Sequence, residues 1–425
     1  MKLNYTFLFG AGASVAFSNQ LSTAAITNAI RRKDNWDVVI YELSQHLNVS
    51  RGIIKRKAYK ILNATRKESN FERIVEVFDR VCGYYADSNP NNNLYNKQLF
   101  IIKHCRVYLA KSKKIVLSYQ IMPFILREII SKHIIDSVRG LYVEHDIEQL
   151  LKCQAELIHH CWDEENKNYV SLVSLNYDDI LSRSLGRLPS LYGLGFENGF
   201  YKDQDGHHYC DYVRLLNSHC SIVYPHGCLN FKRIPHSRIE YYCDIQKARK
   251  ERLEGLIKNF PHNTIIGYDG ECYYDFNSFI ISGKSKEQTI NKEPFGVYYQ
   301  KTINDIARKE NLIIVVGYSF SDSHFNSALQ YAITSGNAQS MLIIDYAKDD
   351  YYWKTGIMAY IDDLFSLSFS ESSDYDKKIS YKNEQRIINL NKYGEGYISE
   401  KIYFYKKGYS CFLREWRKVL SNIGF

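Results

Sequence analysis

A chain of 425 residues can bury a substantial core, either as two or three domain-sized units or as one large elaborated domain. Its composition, 45% apolar, 24% charged and 14% aromatic, is that of a globular protein, and no apolar run is long enough to cross a bilayer, so no membrane span is expected. A formal net charge of +8 favours anionic partners in a general way and says nothing about fold.

The first apolar stretch, Thr6 to Phe9, ends in glycines rather than at a small-residue cleavage site, and it reads as a short buried strand instead of a signal peptide. Gly10-Ala11-Gly12-Ala13-Ser14 then turns into Val15 to Ile30, small and apolar residues suited to one helix, so the chain opens as β-turn-α. From Arg31 to about Asn168 helical periodicity takes over, clearest in Phe71 to Val81 and Ile115 to Ile135, with the Asn-rich break Asn89 to Asn93 as a loop. Residues 31–168 are therefore predicted to be a helical insertion. Within it Arg51, Lys55, Arg56, Lys57, Lys60, Arg66 and Lys67 form the densest basic run, readable as a solvated helix face or as a contact for nucleic acid or assembly.

Strand-like sequence returns at Tyr169 to Leu175, which runs into Asn176-Tyr177-Asp178-Asp179. Further strands are predicted at Ser221 to Tyr224, ending in Pro225-His226-Gly227, at Phe279 to Gly283, at Asn311 to Val316 and at Met341 to Asp345. The fifth of these six, Asn311 to Val316, ends at Gly317-Tyr318-Ser319-Phe320-Ser321-Asp322 and leads to a helix over Ser323 to Thr334. Short apolar strands that end in Gly or polar clusters and are separated by helices predict an α/β fold, a Rossmann-like parallel sheet, with ligands at the carboxyl ends of the strands. Residues 1–348 are assigned to this domain. Residues 349–425 are read as a C-terminal appendage for assembly or regulation, ending in an amphipathic helix near Phe412 to Ile423.

The ten cysteines include no Cys-x-x-Cys pair, which argues against a zinc ribbon and fits reduced thiols in a cytoplasm. His159 and His160 beside Cys161 lack a fourth ligand at a workable spacing, so no metal is expected.

Glycines at a strand-to-helix turn let backbone approach a diphosphate, and Gly10 and Gly12 meet that need, although Val15 stands where a dehydrogenase fingerprint wants a third glycine. Together with Ser174-Leu175-Asn176-Tyr177-Asp178, Tyr224-Pro225-His226-Gly227 and Val316-Gly317-Tyr318-Ser319, this turn resembles the sirtuin-related NAD-binding family, whose segments occur in the same order. Without a four-cysteine ribbon, and with a long helical insertion, the resemblance is closer to the sirtuin-like domains of bacterial antiphage defence than to protein deacylases.

That resemblance implies NAD+ as substrate, cleaved to nicotinamide and ADP-ribose. It implies catalytic roles for Asn176 on the ribose or water and for His226 as general base. Gly10, Ala11, Gly12, Ser14, Asp178, Gly317 and Ser319 are then binding residues, with Asp178 against the carboxamide. Asp345 at a strand end is a candidate for the adenosine ribose. A homo-oligomer and a partner such as a HerA-type ATPase or a short Argonaute are implied too. A non-catalytic NAD+ or ADP-ribose sensor is the competing reading.

Overall fold

The computed structural model describes residues 3–47, 49–86, 113–141, 145–162, 168–187, 198–202, 208–233, 239–242, 244–259, 294–320, 322–346, 387–389 and 402–425. The strands are Asn4–Phe9 (β1), Val170–Ser174 (β2), Phe200–Lys202 (β3), His208–Cys210 (β4), Cys220–Val223 (β5), Phe231–Arg233 (β6), Ile239–Tyr241 (β7), Asn311–Val316 (β8), Ala338–Ile344 (β9), Ile387–Asn389 (β10) and Ile402–Tyr405 (β11). Seven of them form one sheet in the order β10-β11-β9-β8-β1-β2-β5, parallel except for the β10–β11 pair, while β3–β4 and β6–β7 form separate antiparallel pairs.

Among the parallel strands the chain runs outward from β1 through β2 to β5, then returns to β8 on the other side of β1 and continues to β9 and β11. This is the doubly wound order, and its direction reverses between β1 and β8. A crevice opens at such a reversal because the connections leave on opposite faces. The strands read as unbroken apolar runs because helices cover both faces: every residue of β2 and of β8 is buried, as are Phe7, Leu8 and Phe9 of β1.

The predicted strands at 311–316, 169–175, 221–224 and 341–345 are found within a few residues of their expected bounds. The one predicted at Phe279 to Gly283 and the loop Asn89 to Asn93 lie outside the described residues. The single helix expected over Val15 to Ile30 is instead a short helix Ala11–Val15, a 3-10 turn Asn19–Leu21 and a helix Thr23–Arg31. Two serines divide it: the Ser18 hydroxyl accepts from the Gln20 amide and that of Ser22 from the Ala25 amide, each starting a new turn.

Between β1 and β2 stand the helices Lys33–Ser44, Arg51–Ala64, Phe71–Ala86, Lys113–Gly140 and His145–Cys161. Their core includes Trp36 stacked on Phe78, with ring centroids 5.4 Å apart, and the buried Arg127, whose Nη1 and Nη2 each donate to the Asp79 carboxylate at 2.7 Å. Glu128, fully buried, ties this bundle to the helix Ile245–Asn259 through Arg249 at 3.0 Å and Arg252 at 3.9 Å. In the basic run, Lys55 pairs with Asp37 at 2.7 Å and Arg51 lies over the Tyr41 ring at 4.6 Å.

The expected boundary at 348 does not set the last residues apart from the sheet. β11 extends it in parallel beside β9, with Ile402 opposite Met341 and Tyr405 opposite Ile344. The terminal helix Tyr409–Asn422 buries Phe412, Leu413, Trp416, Val419 and Leu420, and Tyr409 donates to Gln154 of the helix His145–Cys161 at 3.1 Å. Four residues rich in aromatics, Ile-Tyr-Phe-Tyr, complete a core that the pattern alone left closed at β9. Among the described residues no helix is long and apolar enough to cross a membrane.

Candidate active site at the strand reversal

The turn after β1 and the turn after β8 are packed backbone to backbone. The Gly10 amide donates to Val316 O at 2.8 Å and the Gly12 amide to Gly317 O at 3.0 Å. A Cβ on Gly10 would stand 2.5 Å from Gly317 O, one on Gly12 2.7 Å from Gly317 Cα, and one on Gly317 2.4 Å from Gly12 Cα. Gly317 also has φ +55, a region open to glycine at little cost. The Gly-Ala-Gly sequence thus serves first to bring two turns together at the reversal, and Phe320, a buried non-glycine at φ +54, adds local strain to the second turn.

The β2 turn is tied to the β1 turn by two side chains. Asn176 donates from Nδ2 to Gly10 O at 2.9 Å, and the Ser14 hydroxyl donates to Asp178 Oδ2 at 2.5 Å. Asp178 is buried and its other oxygen accepts from the Ile180 amide at 3.1 Å. Burial pushes its carboxyl pKa above the ordinary value against the pull of these two donors. Ser14 and Asp178, both expected to meet nucleotide, hold one another at the cavity wall; Asn176 orients the turn and keeps its amide oxygen as a second polar atom.

His226 follows β5 and is buried. Its Nε2 lies 3.1 Å from Asp322 Oδ2, while Asp322 Oδ1 accepts from the His324 amide at 3.1 Å and caps the helix Ser323–Thr334. An ionised carboxylate only accepts, so in the neutral ring Nε2 carries the proton and Nδ1 the lone pair. The sequence indicated Asp322 as a cap; its second oxygen, turned to an imidazole from another strand, had no local signal. Beside this pair, Tyr299 stacks on Phe325 with centroids 4.8 Å apart, and its buried hydroxyl is near enough to Asp322 for that carboxylate to add to burial in raising the phenol pKa.

These groups meet around a cavity of about 180 Å³. The strand-end turns supply Gly10, Ala11, Ser14, Asn176, Asp178, His226, Gly317, Ser319 and Asp322, bringing together nine of the residues picked out in the sequence. The facing wall comes from outside the motifs: Leu21, Thr23, Ile26, Asn70, Phe71, Glu72 and Ile134. Its charged side chains are Glu72, Asp178 and Asp322, and among the described residues lining it there is no Lys or Arg. A larger cavity of about 560 Å³ lies on the other sides of the helices Thr23–Arg31 and Lys113–Gly140 and holds none of the motif residues. Asp345 stands apart from the lining residues, at the end of β9, where its Oδ1 accepts from the Tyr346 amide at 2.6 Å and burial raises its pKa to about 6. Ser321 lies outside the described residues. Among the described residues no group of three or more His, Cys, Asp or Glu side chains is placed to hold a metal ion.

Residues 170–355 match the SIR2-like domain. The matched span holds β2 with Asn176, β5 with His226, and β8 with the Gly317 turn and Asp322. It supports a sirtuin-like domain in this chain and fits NAD+ use. β1 and its glycine turn precede the matched span, yet they share one sheet with it by pairing with both β2 and β8. No curated protein matches the chain.

Proposed function

We propose that this protein is an NAD+ glycohydrolase, cleaving NAD+ to nicotinamide and ADP-ribose as an effector of antiphage defence. The observation that carries the reading is the His226–Asp322 pair at the strand reversal, across one cavity from Asn176, within a SIR2-like domain. At about 180 Å³ the cavity is below the roughly 300–1,000 Å³ of whole small-molecule sites, so it receives one end of a dinucleotide. The carboxylates of Glu72, Asp178 and Asp322, with no Lys or Arg among the described residues of the lining, suit the cationic nicotinamide end better than the diphosphate.

Cleavage moves the electron pair of the bond between ribose C1′ and the pyridinium nitrogen onto nicotinamide, which leaves neutral, and leaves positive charge on the ribose. Water adds at C1′ and gives up a proton. His226 accepts that proton at Nδ1, with Asp322 holding the ring in the required tautomer and stabilising the imidazolium, and Asn176 positions the ribose or water through its amide oxygen. The defence role, a homo-oligomeric assembly and a partner of the HerA-type ATPase or short-Argonaute kind rest on the resemblance of the motifs. Chromatography of NAD+ incubated with the full chain tests the reaction: nicotinamide and ADP-ribose in equal amounts are expected, and Asn176→Ala is expected to slow both by about 100-fold. A cyclic product in place of ADP-ribose would replace hydrolysis with cyclisation.

A further inference from the structure

Glu72 belongs to the helical insertion, in the first turn of the helix Phe71–Ala86, and it lines the same cavity as Asn176 and His226. Its position is fixed from two sides. Its amide donates to Asn70 Oδ1 at 2.9 Å, which starts the helix, and its Oε1 accepts from the Tyr177 hydroxyl at 3.1 Å. Tyr177 is the middle residue of Asn176-Tyr177-Asp178, so the insertion is anchored to the motif turn itself. Phe71 adds an edge contact to the Tyr177 ring, centroids 6.1 Å apart. Tyr177 is a neutral donor: burial, then the charge of Glu72, holds its pKa far above the ordinary phenol value. The hydrogen bond therefore positions the carboxylate without cancelling its charge.

All three carboxylates of the lining hold protein groups, Glu72 the Tyr177 hydroxyl, Asp178 the Ser14 hydroxyl and the Ile180 amide, Asp322 the His226 ring and a helix amide, and Glu72 is the one brought in by the insertion. We infer that Glu72 is a catalytic and specificity residue contributed by the insertion, its carboxylate facing the positive charge that NAD+ carries on the nicotinamide ring and passes to the ribose as the bond breaks. The assignment rests on the NAD+ cleavage proposed above. NADH has the same shape class but a neutral dihydronicotinamide ring, so a fixed carboxylate favours the oxidised form at binding as well as the cationic transition state.

The test compares the full chain with Glu72→Gln, which keeps an oxygen for Tyr177 and removes the charge, and with Glu72→Asp, which keeps the charge on a shorter arm. Nicotinamide release gives kcat, calorimetric titration with NAD+ and with NADH gives the two affinities, and thermal melting checks the fold. Glu72→Gln is expected to lower kcat by about 10- to 100-fold and to reduce the preference for NAD+ over NADH by about tenfold, with Glu72→Asp keeping that preference. Wild-type cleavage of NAD+ with both quantities unchanged in Glu72→Gln would overturn the role of Glu72 and leave the glycohydrolase standing. If Glu72→Gln melts early, Glu72→Asp decides alone, and loss of the NAD+ preference in that folded variant overturns the assignment. A wild type that neither binds nor cleaves NAD+ would overturn the site reading and this assignment together.

Discussion

The cavity has two walls of different origin. One is made of strand ends, where Gly10, Asn176, His226 and Gly317 sit within three residues of the end of a strand and are placed by the sheet. The other is made of helices, where Leu21, Thr23, Ile26, Phe71, Glu72 and Ile134 come from segments far apart in sequence and are placed by packing. The strand-end wall carries the groups proposed to break the bond, on a rigid frame. The helical wall closes the cavity from the other side, and it stands only as long as its own buried contacts hold. Apart from Glu72, substitutions on the two sides should therefore be read by different instruments, cleavage for the strand-end wall and stability for the packed contacts behind the helical one.

The sharpest break in that division should come from His226→Ala. On the strand-end side it is expected to lower the rate of nicotinamide release by about 1,000-fold, as loss of a general base does, while the melting temperature stays close to wild type. On the helical side Arg127→Met should do the reverse. Removing the guanidinium strands the Asp79 carboxylate beside a buried position and is expected to cost about 3 kcal/mol, read by denaturant unfolding, with residual cleavage proportional to the folded fraction.

Asp322→Asn sharpens the comparison within the strand-end wall. The asparagine keeps an oxygen for the His324 amide but can offer N–H to the imidazole, reversing the tautomer, so cleavage is expected to fall by about 100-fold with the helix cap intact. The smallest effect concerns Asp345, outside the cavity lining. Its folded pKa of about 6 lies above the ordinary carboxylate value, so folding favours the protonated form and that contribution to stability is lost as pH rises through 6. Asp345→Asn is therefore expected to stabilise the protein at pH 7.5 by up to about 2 kcal/mol, the gain shrinking to nothing as pH falls toward 4. Denaturant unfolding at the two pH values measures it.

The same two walls explain what the sequence made legible. β8 is recognisable residue by residue from Asn311 to Val316 because a buried parallel strand is an unbroken apolar run, ended here by Gly317. The motif turns are legible because their chemistry lies within a few residues of a strand. Glu72 is not, because nothing in Phe71-Glu72-Arg73-Ile74 says that this turn of helix will meet Tyr177, 105 positions away. The Asp322 contact with His226 is hidden for the same reason. β11 was missed on local grounds: four residues between lysines are a short signal, and only pairing with β9 makes them a strand. The broken first helix shows the opposite case, since the Ser18 and Ser22 caps that divide it are local to a segment whose small and apolar residues carry a continuous helical pattern.

His226, held by Asp322, is proposed to remove the proton from the water or hydroxyl that completes cleavage of NAD+. Single-turnover nicotinamide release from NAD+ by the purified full chain and by His226→Ala, with NAD+ binding measured on the same samples, tests it most directly. Rapid release is expected from the wild type, and loss of release, with NAD+ still bound, in the variant. NAD+ bound but left intact by the wild type, or cleaved equally fast by His226→Ala, would contradict it.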